Sequence, residues 1–304
     1  MYGHIQGLGW IVRRTADPLP QGQFYLDGIG LRELRRRDTD RARNIMAWMG
    51  MYSVLETIWQ GQPHPPVKQP SDGEVVPIFR IRDWDTVIAR LNATGGNFLS
   101  ETPDADGTVY FTDPDGFVCG IRTPLAGSDS APDLEADRRW PDDLVSLPDT
   151  PPLAAGLQDI GWLRLHVADP QALSRFYCQV VGLDVLENNG DAGVNLHLGG
   201  TCTLELAPGG KTRPTPGDRK EVPDVWILRG YGLAAFAEKM AAANVPLINE
   251  LTLGEGAGAL NYYADPEGHV FGYQQRAPYD PDGPASQRIE DRAAQEAWQR
   301  DNAG

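Results

Sequence analysis

The sequence has few of the residues that mark disulfide scaffolds, basic binding surfaces or membrane spans. It has 3 cysteines in 304 residues, none of them in a CxxC motif. Lysine and arginine total 27 against 42 aspartates and glutamates, giving a formal net charge of −15. No segment approaches the roughly 18 apolar residues of a membrane helix. These absences argue against a disulfide-stapled secreted domain, a nucleic-acid-binding protein and a membrane protein. They favour an acidic, cytoplasmic protein whose partner is a small molecule.

What the chain does have is an internal repeat. Three pairs of motifs recur 152 residues apart: Gly9-Trp10 with Gly161-Trp162, Phe24-Tyr25 with Phe176-Tyr177, and YFTDPDG (110–116) with YYADPEG (262–268). Three matches in one register indicate a tandem duplication of a unit of roughly 120 residues. The duplication predicts an N-terminal domain over 1–124 and a C-terminal domain over 159–277. An acidic, proline-rich linker (125–158) joins them, and a polar tail (278–304), with an exposed helix over 286–301, follows.

The pattern within each half predicts an α+β fold. WLRLHVA (162–168) alternates apolar and polar residues, as a half-buried strand does. Asp169-Pro170 then begins a helix with apolar residues at i, i+3, i+4 and i+7. VNLHLGG (194–200) and TCTLELA (201–207) are two further strands, and the order strand, helix, strands then repeats. Each half is therefore two β-α-β-β-β units, and the chain has four.

These motifs resemble the vicinal oxygen chelate superfamily, which includes glyoxalase I, bleomycin-resistance proteins and type I extradiol dioxygenases. The matching features are the strand–Asp-Pro–helix segment with FYxxxxGLxxL, the strand ending in LEL, and the closing Y-x-x-D-P-x-G turn. The resemblance covers residues 4–122 and 160–276. It implies four βαβββ units paired into cup-shaped mixed sheets with the ligand inside. Two tandem domains most resemble the extradiol layout, in which the C-terminal domain holds the metal.

Strand parity selects the side chains that face the C-terminal cup. Leu163, Leu165 and Val167 should face the helices, so Trp162, Arg164 and His166 share the opposite face. Asn195 and His197 fall on that face by the same rule, as do Thr203 and Glu205. The polar face of this domain is thus rich in titratable groups.

The sequence departs from the resemblance at the metal ligands. The resemblance implies a first-strand histidine, but Trp162 and Trp10 stand there, and Gly120 and Gly272 stand where a closing glutamate is implied. Glu205, with Glu56 in the first half, matches the mid-domain glutamate of glyoxalases. Tyr262 lies where extradiol enzymes carry an active-site tyrosine. We therefore expect no bound metal and no other cofactor, and an unorthodox divalent-metal site formed by His166, His197 and Glu205 is the alternative.

The leading hypothesis is metal-independent acid–base chemistry, of lyase or isomerase type, on a small aromatic or carbonyl-bearing molecule in the C-terminal cup. The expected catalytic residues are His166, Glu205 and Tyr262, and the expected ligand-binding residues are Trp162, Arg164, Asn195, His197 and Gln274. Glu205 has a second interpretation as the ion-pair partner of Arg164, and His197 as a solvated surface residue. The alternatives are a non-catalytic, bleomycin-resistance-like binder and a divergent extradiol dioxygenase with an unusual metal site. The protein is expected to be a monomer or a homodimer.

Overall fold

The structure is a computed structural model that describes residues 5–50, 53–59, 61, 67–100, 102–123, 153–199, 202–230, 232–252 and 259–275. Within those ranges it is an α+β fold of strands in two large mixed sheets, with few helices, as the sequence predicts. The expected tail and its helix over 286–301 lie outside the described residues, as does most of the expected linker. Among the described helices, none has the length and apolar character that crossing a membrane requires.

One sheet, here called the terminal sheet, combines the first and fourth βαβββ units. Its strands are β1 (Ile5–Arg14), β2 (Arg32–Thr39), β3 (Ala42–Trp48), β4 (Val54–Ile58), β13 (Asp224–Gly230), β14 (Leu247–Thr252), β15 (Ala259–Ala264) and β16 (Val270–Gln275). Their order in space is β14-β15-β16-β13-β1-β4-β3-β2.

The other sheet, the central sheet, combines the second and third units. Its strands are β5 (Val75–Ile81), β6 (Asn97–Phe98), β7 (Thr108–Thr112), β8 (Val118–Arg122), β9 (Leu157–Val167), β10 (Asp184–Asn188), β11 (Val194–Gly199) and β12 (Cys202–Pro208). Their order in space is β10-β11-β12-β9-β5-β8-β7-β6.

The two halves of the chain do not each close a sheet of their own. Antiparallel pairing of β1 with β13 joins the terminal sheet, and antiparallel pairing of β5 with β9 joins the central sheet. Each sheet therefore contains one unit from either half. The first strands of all four units are alike. The repeat therefore indicates that units pair, but it does not indicate which two units share a sheet.

The described residues form four α-helices: α1 (Pro18–Phe24), α2 (Trp84–Ala93), α3 (Pro170–Phe176) and α4 (Leu233–Ala242). The repeated Asp-Pro motif begins two of them, as predicted. The Asp169 carboxylate caps α3 by accepting a hydrogen bond from the Ala172 N–H at 2.9 Å, and Asp17 caps α1 in the same way. Each of these helices runs on into a π-helical turn, which ends at a glycine with positive φ: Gly30 at 94° and Gly182 at 103°.

The repeated FY and D-P-x-G motifs contact each other across the two sheets. The Tyr177 hydroxyl, after α3, donates to Asp265 Oδ2 at 2.7 Å in the turn between β15 and β16. The Tyr25 hydroxyl donates to Asp113 in the equivalent turn between β7 and β8. One buried apolar cluster, which contains residues of both sheets, surrounds these contacts. The motifs that reveal the duplication thus hold the terminal sheet against the central sheet.

Candidate functional site

The face of the central sheet that points away from the helices lines a cavity of about 1070 Å³, here called the central cup. Trp162, Arg164 and His166 from β9 line it, as the alternation predicts. Glu205 on β12 lies directly beside Arg164 in the parallel register and lines the same cavity. The predicted shared face is therefore confirmed for the residues of these two strands.

Glu205 is held between two arginines. Arg122 Nη1 and Nη2 donate to its two carboxylate oxygens at 2.7 and 3.1 Å, and Arg164 Nε donates to Oε2 at 2.8 Å. Burial alone would raise the pKa of Glu205, but the two guanidiniums outweigh burial and lower it. Glu205 therefore stays ionised. Its interpretation as the ion-pair partner of Arg164 is confirmed, and this geometry does not suit it to exchange a proton with a ligand.

Arg164 is surrounded by protein acceptors instead of facing a ligand alone. Its Nη2 donates to Asp106 Oδ2 at 2.8 Å, and its Nη1 donates to the Tyr110 hydroxyl, which in turn donates to Asp104 at 2.9 Å. With Glu205 on Nε, each guanidinium nitrogen has a protein partner. We expected Arg164 to take a ligand oxygen, but its partners Asp104, Asp106 and Tyr110 come from the second unit, which the sequence alone does not place next to β9.

Arg122 is a residue of this site that sequence reasoning missed. It lies at the end of β8, where its guanidinium carbon is 4.3 Å from the centre of the Trp162 ring. Arg80 lies over the same ring at 5.2 Å. Both contacts are within the range of cation–π attraction. The alternation of β8, in which Arg122 follows Gly120 on the same face, was the available signal. The orientation of the Trp162 ring is therefore fixed by two arginine side chains, which lie on β5 and β8.

The residues present do not fit the metal that the sequence resemblance implies. Ile78 lies beside Trp162 and Gly120 in the register, so apolar groups occupy the centre of the sheet. The remaining carboxylate, Glu205, is bonded to two arginines. The alternative site of His166, His197 and Glu205 does not form either, since no three acidic, histidine or cysteine side chains of the described residues are grouped to hold an ion.

One imidazole nitrogen of His166 is hydrogen-bonded to the protein, and the other is left for the cavity. Its Nδ1 is 2.7 Å from the Gly73 carbonyl oxygen, which only accepts, so Nδ1 carries the proton and Nε2 carries the lone pair. Burial lowers the pKa of His166, and the nearby Arg164 adds to the effect. The imidazole is therefore neutral near pH 7, with a basic nitrogen on the side away from Gly73.

The two polar residues of β11 differ in their places. Asn195 lines the cavity and donates to Glu187 Oε2 at 3.1 Å. His197 is half-buried nearer the hairpin and does not line the cavity, and its Nε2 is buried without a hydrogen-bond partner among the described residues. Asn195 is therefore placed to meet a ligand, and His197 is not.

Two expected site residues lie in the other sheet. Tyr262 on β15 and Gln274 on β16 belong to the terminal sheet, where the Arg219 guanidinium lies 5.0 Å from the centre of the Tyr262 ring. The expectation that they share a cup with His166 is wrong. It assumed that the third and fourth units pair with each other, whereas the fourth unit pairs with the first.

The sequence matches no family model and no curated protein. Among solved structures, a mutant of glyoxalase I from Zea mays aligns with a TM-score of 0.62 at 16% identity, over 88% of this chain and 93% of that chain. A "putative dioxygenase" from Bacillus subtilis aligns with a TM-score of 0.62 at 13% identity, over 95% of this chain and 90% of that chain. Glyoxalase I from Zea mays itself gives 0.57 at 14% identity, over 90% and 93%. At these identities the likeness shows the fold and not the activity.

Proposed function

We propose that this chain, which has the vicinal oxygen chelate fold, binds a small neutral or cationic organic molecule in the central cup and accepts a proton from it at His166 Nε2. The observation that carries the proposal is the state of His166. Of the buried titratable side chains that line the described cavity, it alone stands outside the arginine–carboxylate network. A neutral imidazole with a fixed Nδ1 proton is suited to act as a general base.

The charges that line the central cup support a ligand that is not an anion. Three carboxylates, Asp106, Glu187 and Glu205, line it with two arginines. The charged nitrogens of both arginines already donate to carboxylate and hydroxyl oxygens of the protein. A ligand anion would have to break those bonds, whereas a neutral or cationic ligand leaves them intact.

The chemistry follows from the groups at hand. Trp162 lines the cavity and offers aromatic surface, beside Arg122, against which a ring or an apolar chain can pack. His166 Nε2 takes a proton from an acidic C–H or O–H of the ligand and becomes an imidazolium. The Gly73 carbonyl at Nδ1 and the nearby charge of Glu205 stabilise that cation. Return of the proton to a different atom of the ligand completes an isomerisation, and its transfer to a leaving group completes an elimination.

Proton abstraction can be tested before the natural substrate is known. Neutral and cationic carbonyl compounds that raise the melting temperature are incubated with the protein in D₂O, and loss of their C–H signals is followed by ¹H NMR. We expect wild type to catalyse the exchange and His166→Gln to slow it by about 100-fold or more. His197→Gln, a matched histidine on the same sheet outside the cavity, should leave the rate unchanged. An equal rate in wild type and His166→Gln would refute the proposal.

A second candidate is a protein that sequesters its ligand without changing it. The observation in its favour is that Glu205 is locked between Arg122 and Arg164, which leaves one buried proton-transfer group instead of a pair. In that case the ligands bind, but neither wild type nor His166→Gln incorporates deuterium. The third alternative, a metal-dependent dioxygenase, has no donor set among the described residues to support it.

A further inference from the structure

One carboxylate at the rim of the central cup has no cationic partner. Glu187 on β10 lines the cavity and is solvent-exposed. Its Oε2 accepts a hydrogen bond from the Asn195 side chain at 3.1 Å, and no lysine, arginine or histidine of the described residues lies within ion-pair distance of it. The other two carboxylates of the cavity, Asp106 and Glu205, are both bonded to arginines. Glu187 therefore carries the charge that the arginines of the cavity do not balance.

A β-bulge turns Glu187 into the cup. In the pairing of β10 with β11, Val185 lies opposite Leu196, whose side chain is buried. The next paired residue, Glu187, lies opposite Asn195, which lines the cavity. Strict alternation would put residues 185 and 187 on one face of the strand. The register shift between them instead places Leu186 and Glu187 together against the cavity, since a bulge re-aims the side chains that follow it.

The first half of the chain repeats this bulge with the opposite charge. Arg35 on β2 lies 152 residues before Glu187, and the pairing of β2 with β3 has its register shift at the equivalent place, between Glu33 and Arg35. Burial raises the pKa of Glu56, the counterpart of Glu205, and the charge of Arg35 opposes that rise. The residue after the bulge therefore acts on the same face in both sheets, as a cation in the terminal sheet and as an anion in the central sheet.

The strand register sets how far Glu187 lies from His166. Three strand spacings separate β10 from β9, and Glu187 is in one row with Arg164, two residues before His166. At about 4.8 Å per strand and about 3.3 Å per residue, the Cα atoms of Glu187 and His166 would be about 16 Å apart on a flat sheet. The small side chain of Ala207 lies beside His166 in the register and leaves space on the side towards β10. A ligand that contacts both groups must therefore be several bonds long.

We propose that Glu187 determines the charge of the ligand in the central cup, and that this ligand is an organic cation whose ammonium group pairs with Glu187 while its acidic C–H lies at His166. The cation supplies the positive charge that the cavity lining lacks, and the part of the ligand between its two ends packs on Trp162. The position of the acidic C–H rests on the proposed function, whereas the choice of a cation rests on the surroundings of Glu187.

The test uses three probes of similar length. 4-Acetylbenzyl-trimethylammonium has a cation at one end, an acetyl group with acidic C–H bonds at the other, and an aromatic ring between them. In 1-(4-neopentylphenyl)ethanone a carbon replaces the charged nitrogen, and 4-acetylphenylacetate is an anion. In calorimetric titration of the full chain, we expect the cation to bind about fivefold or more tightly than the neutral probe, as an ion pair at a partly exposed site allows. The anion should bind least tightly.

Variants at position 187 assign this preference to one side chain. Glu187→Gln keeps an acceptor for Asn195 and should abolish the preference for the cation, while affinity for the neutral probe stays within about twofold. Glu187→Arg, which carries the charge of Arg35, should favour the anion. Asp184→Asn, which removes an exposed carboxylate from the same strand outside the cavity, should leave all three affinities within about twofold. Because residue 187 is exposed, each variant should melt within about 2 °C of wild type.

Two readouts separate the role of Glu187 from the proton abstraction. Probe affinity reports on Glu187, and exchange of the acetyl C–H for deuterium, followed by ¹H NMR in D₂O, reports on His166. A cation preference that Glu187→Gln abolishes supports the choice of a cation even if no probe exchanges, a result that would refute only the proton abstraction. Equal affinity of wild type for the cationic and neutral probes would overturn the choice of a cation, as would a cationic probe that does not bind at millimolar concentration. A preference that Glu187→Gln retains, or that Asp184→Asn abolishes, would overturn the role of Glu187.

Discussion

Glu56 and Glu205 occupy equivalent places in the two halves of the duplication, and their neighbours give them opposite properties. Glu205 has two arginines within 2.8 Å of its oxygens, and their charge lowers its pKa. Glu56 has Asn44 as its hydrogen-bond donor, and burial raises its pKa. The same residue type is thus an ion-pair centre in one cup and a weakly acidic group in the other.

This contrast predicts unequal costs for one substitution. Glu205→Gln removes the ion pair of the buried Arg122 and one of the ion pairs of Arg164, and should lower the free energy of unfolding by about 3–5 kcal/mol. Glu56→Gln keeps an acceptor for Asn44 and should cost less than about 1 kcal/mol. Urea denaturation of the two variants at pH 7 measures both values. Equal losses would show that the difference in ion pairing does not govern stability at this position.

Asp224 predicts how stability depends on pH. Burial, opposed by Arg13, raises the pKa of Asp224 to about 7 in the folded protein, against about 3.9 in an unfolded chain. Between these pH values the folded state holds a proton that the unfolded state has lost. Stability from this group is therefore complete below pH 4 and falls as pH rises towards 7, by up to about 1.4 kcal/mol per pH unit.

Asp224→Asn should remove that slope, because an amide does not titrate. Arg13 keeps its ion pair with Asp113 at 3.3 Å in the variant. Urea unfolding at pH 5, 6, 7 and 8 should show the variant gaining stability relative to wild type up to pH 7 and then holding a constant difference. Parallel curves for the two proteins across this range would contradict the assignment.

At the scale of elements, the repeated motifs form hydrogen bonds that join one unit to another. The turn between β15 and β16 contains Asp265, which accepts hydrogen bonds from the Glu267 and His269 N–H groups as well as from the Tyr177 hydroxyl. The first two bonds stabilise the turn. The third joins the turn to Tyr177 at the end of α3, in a unit that belongs to the other sheet. One aspartate therefore fixes a local turn and a distant contact.

Tyr177→Phe should separate these two roles. It removes the bond between the sheets and leaves the turn bonds in place, so we expect a loss of about 1–2 kcal/mol in unfolding free energy. Amide hydrogen exchange should quicken at the end of α3 and in the turn before β16, and should stay unchanged in β3. Asp169→Ala, which removes the cap of α3, is the matched control, since its effect should be confined to the first turn of that helix. Uniformly faster exchange in Tyr177→Phe would show that the Tyr177–Asp265 bond does not act locally.

At the scale of the whole molecule, each sheet depends on both halves of the chain. Neither half contains the antiparallel partner of its own first strand, since β1 pairs with β13 and β9 pairs with β5. A half expressed alone would expose long strand edges, which promote aggregation. The halves should therefore behave as two parts of one folding unit.

Two chains divided within 124–152 and expressed together should form a 1:1 complex that stays intact in size-exclusion chromatography. Each expressed alone should aggregate or remain unfolded by circular dichroism. The recovered complex should show the melting transition of wild type, at a lower temperature because the link between the halves is lost. Two soluble halves that fold independently would contradict the pairing across the halves.

Patterns among residues close together in sequence were enough to predict the strand faces, the start of α3 and the four units. Alternation placed Trp162, Arg164 and His166 on one face, and the Asp169-Pro170 pair marked the start of α3. The motif spacing identified four units and the fold. These features depend on residues close together in sequence, where periodicity and capping follow from backbone geometry. The absence of Tyr262 from the site, and the presence of Arg122 in it, depend on contacts between distant segments, which one sequence does not order.

The sequence by itself determined the repeat, the α+β units and the faces of their strands, because each of these is set within one unit by side-chain period and turn chemistry. Only the tertiary structure decided which units share a sheet, and through that choice which charges meet. Glu205 contacts Arg122 because the second unit pairs with the third, and Tyr262 lies outside the central cup because the fourth unit pairs with the first. Pairing among similar strand edges depends on the fit of the whole core, and that fit is fixed only when all four units pack together.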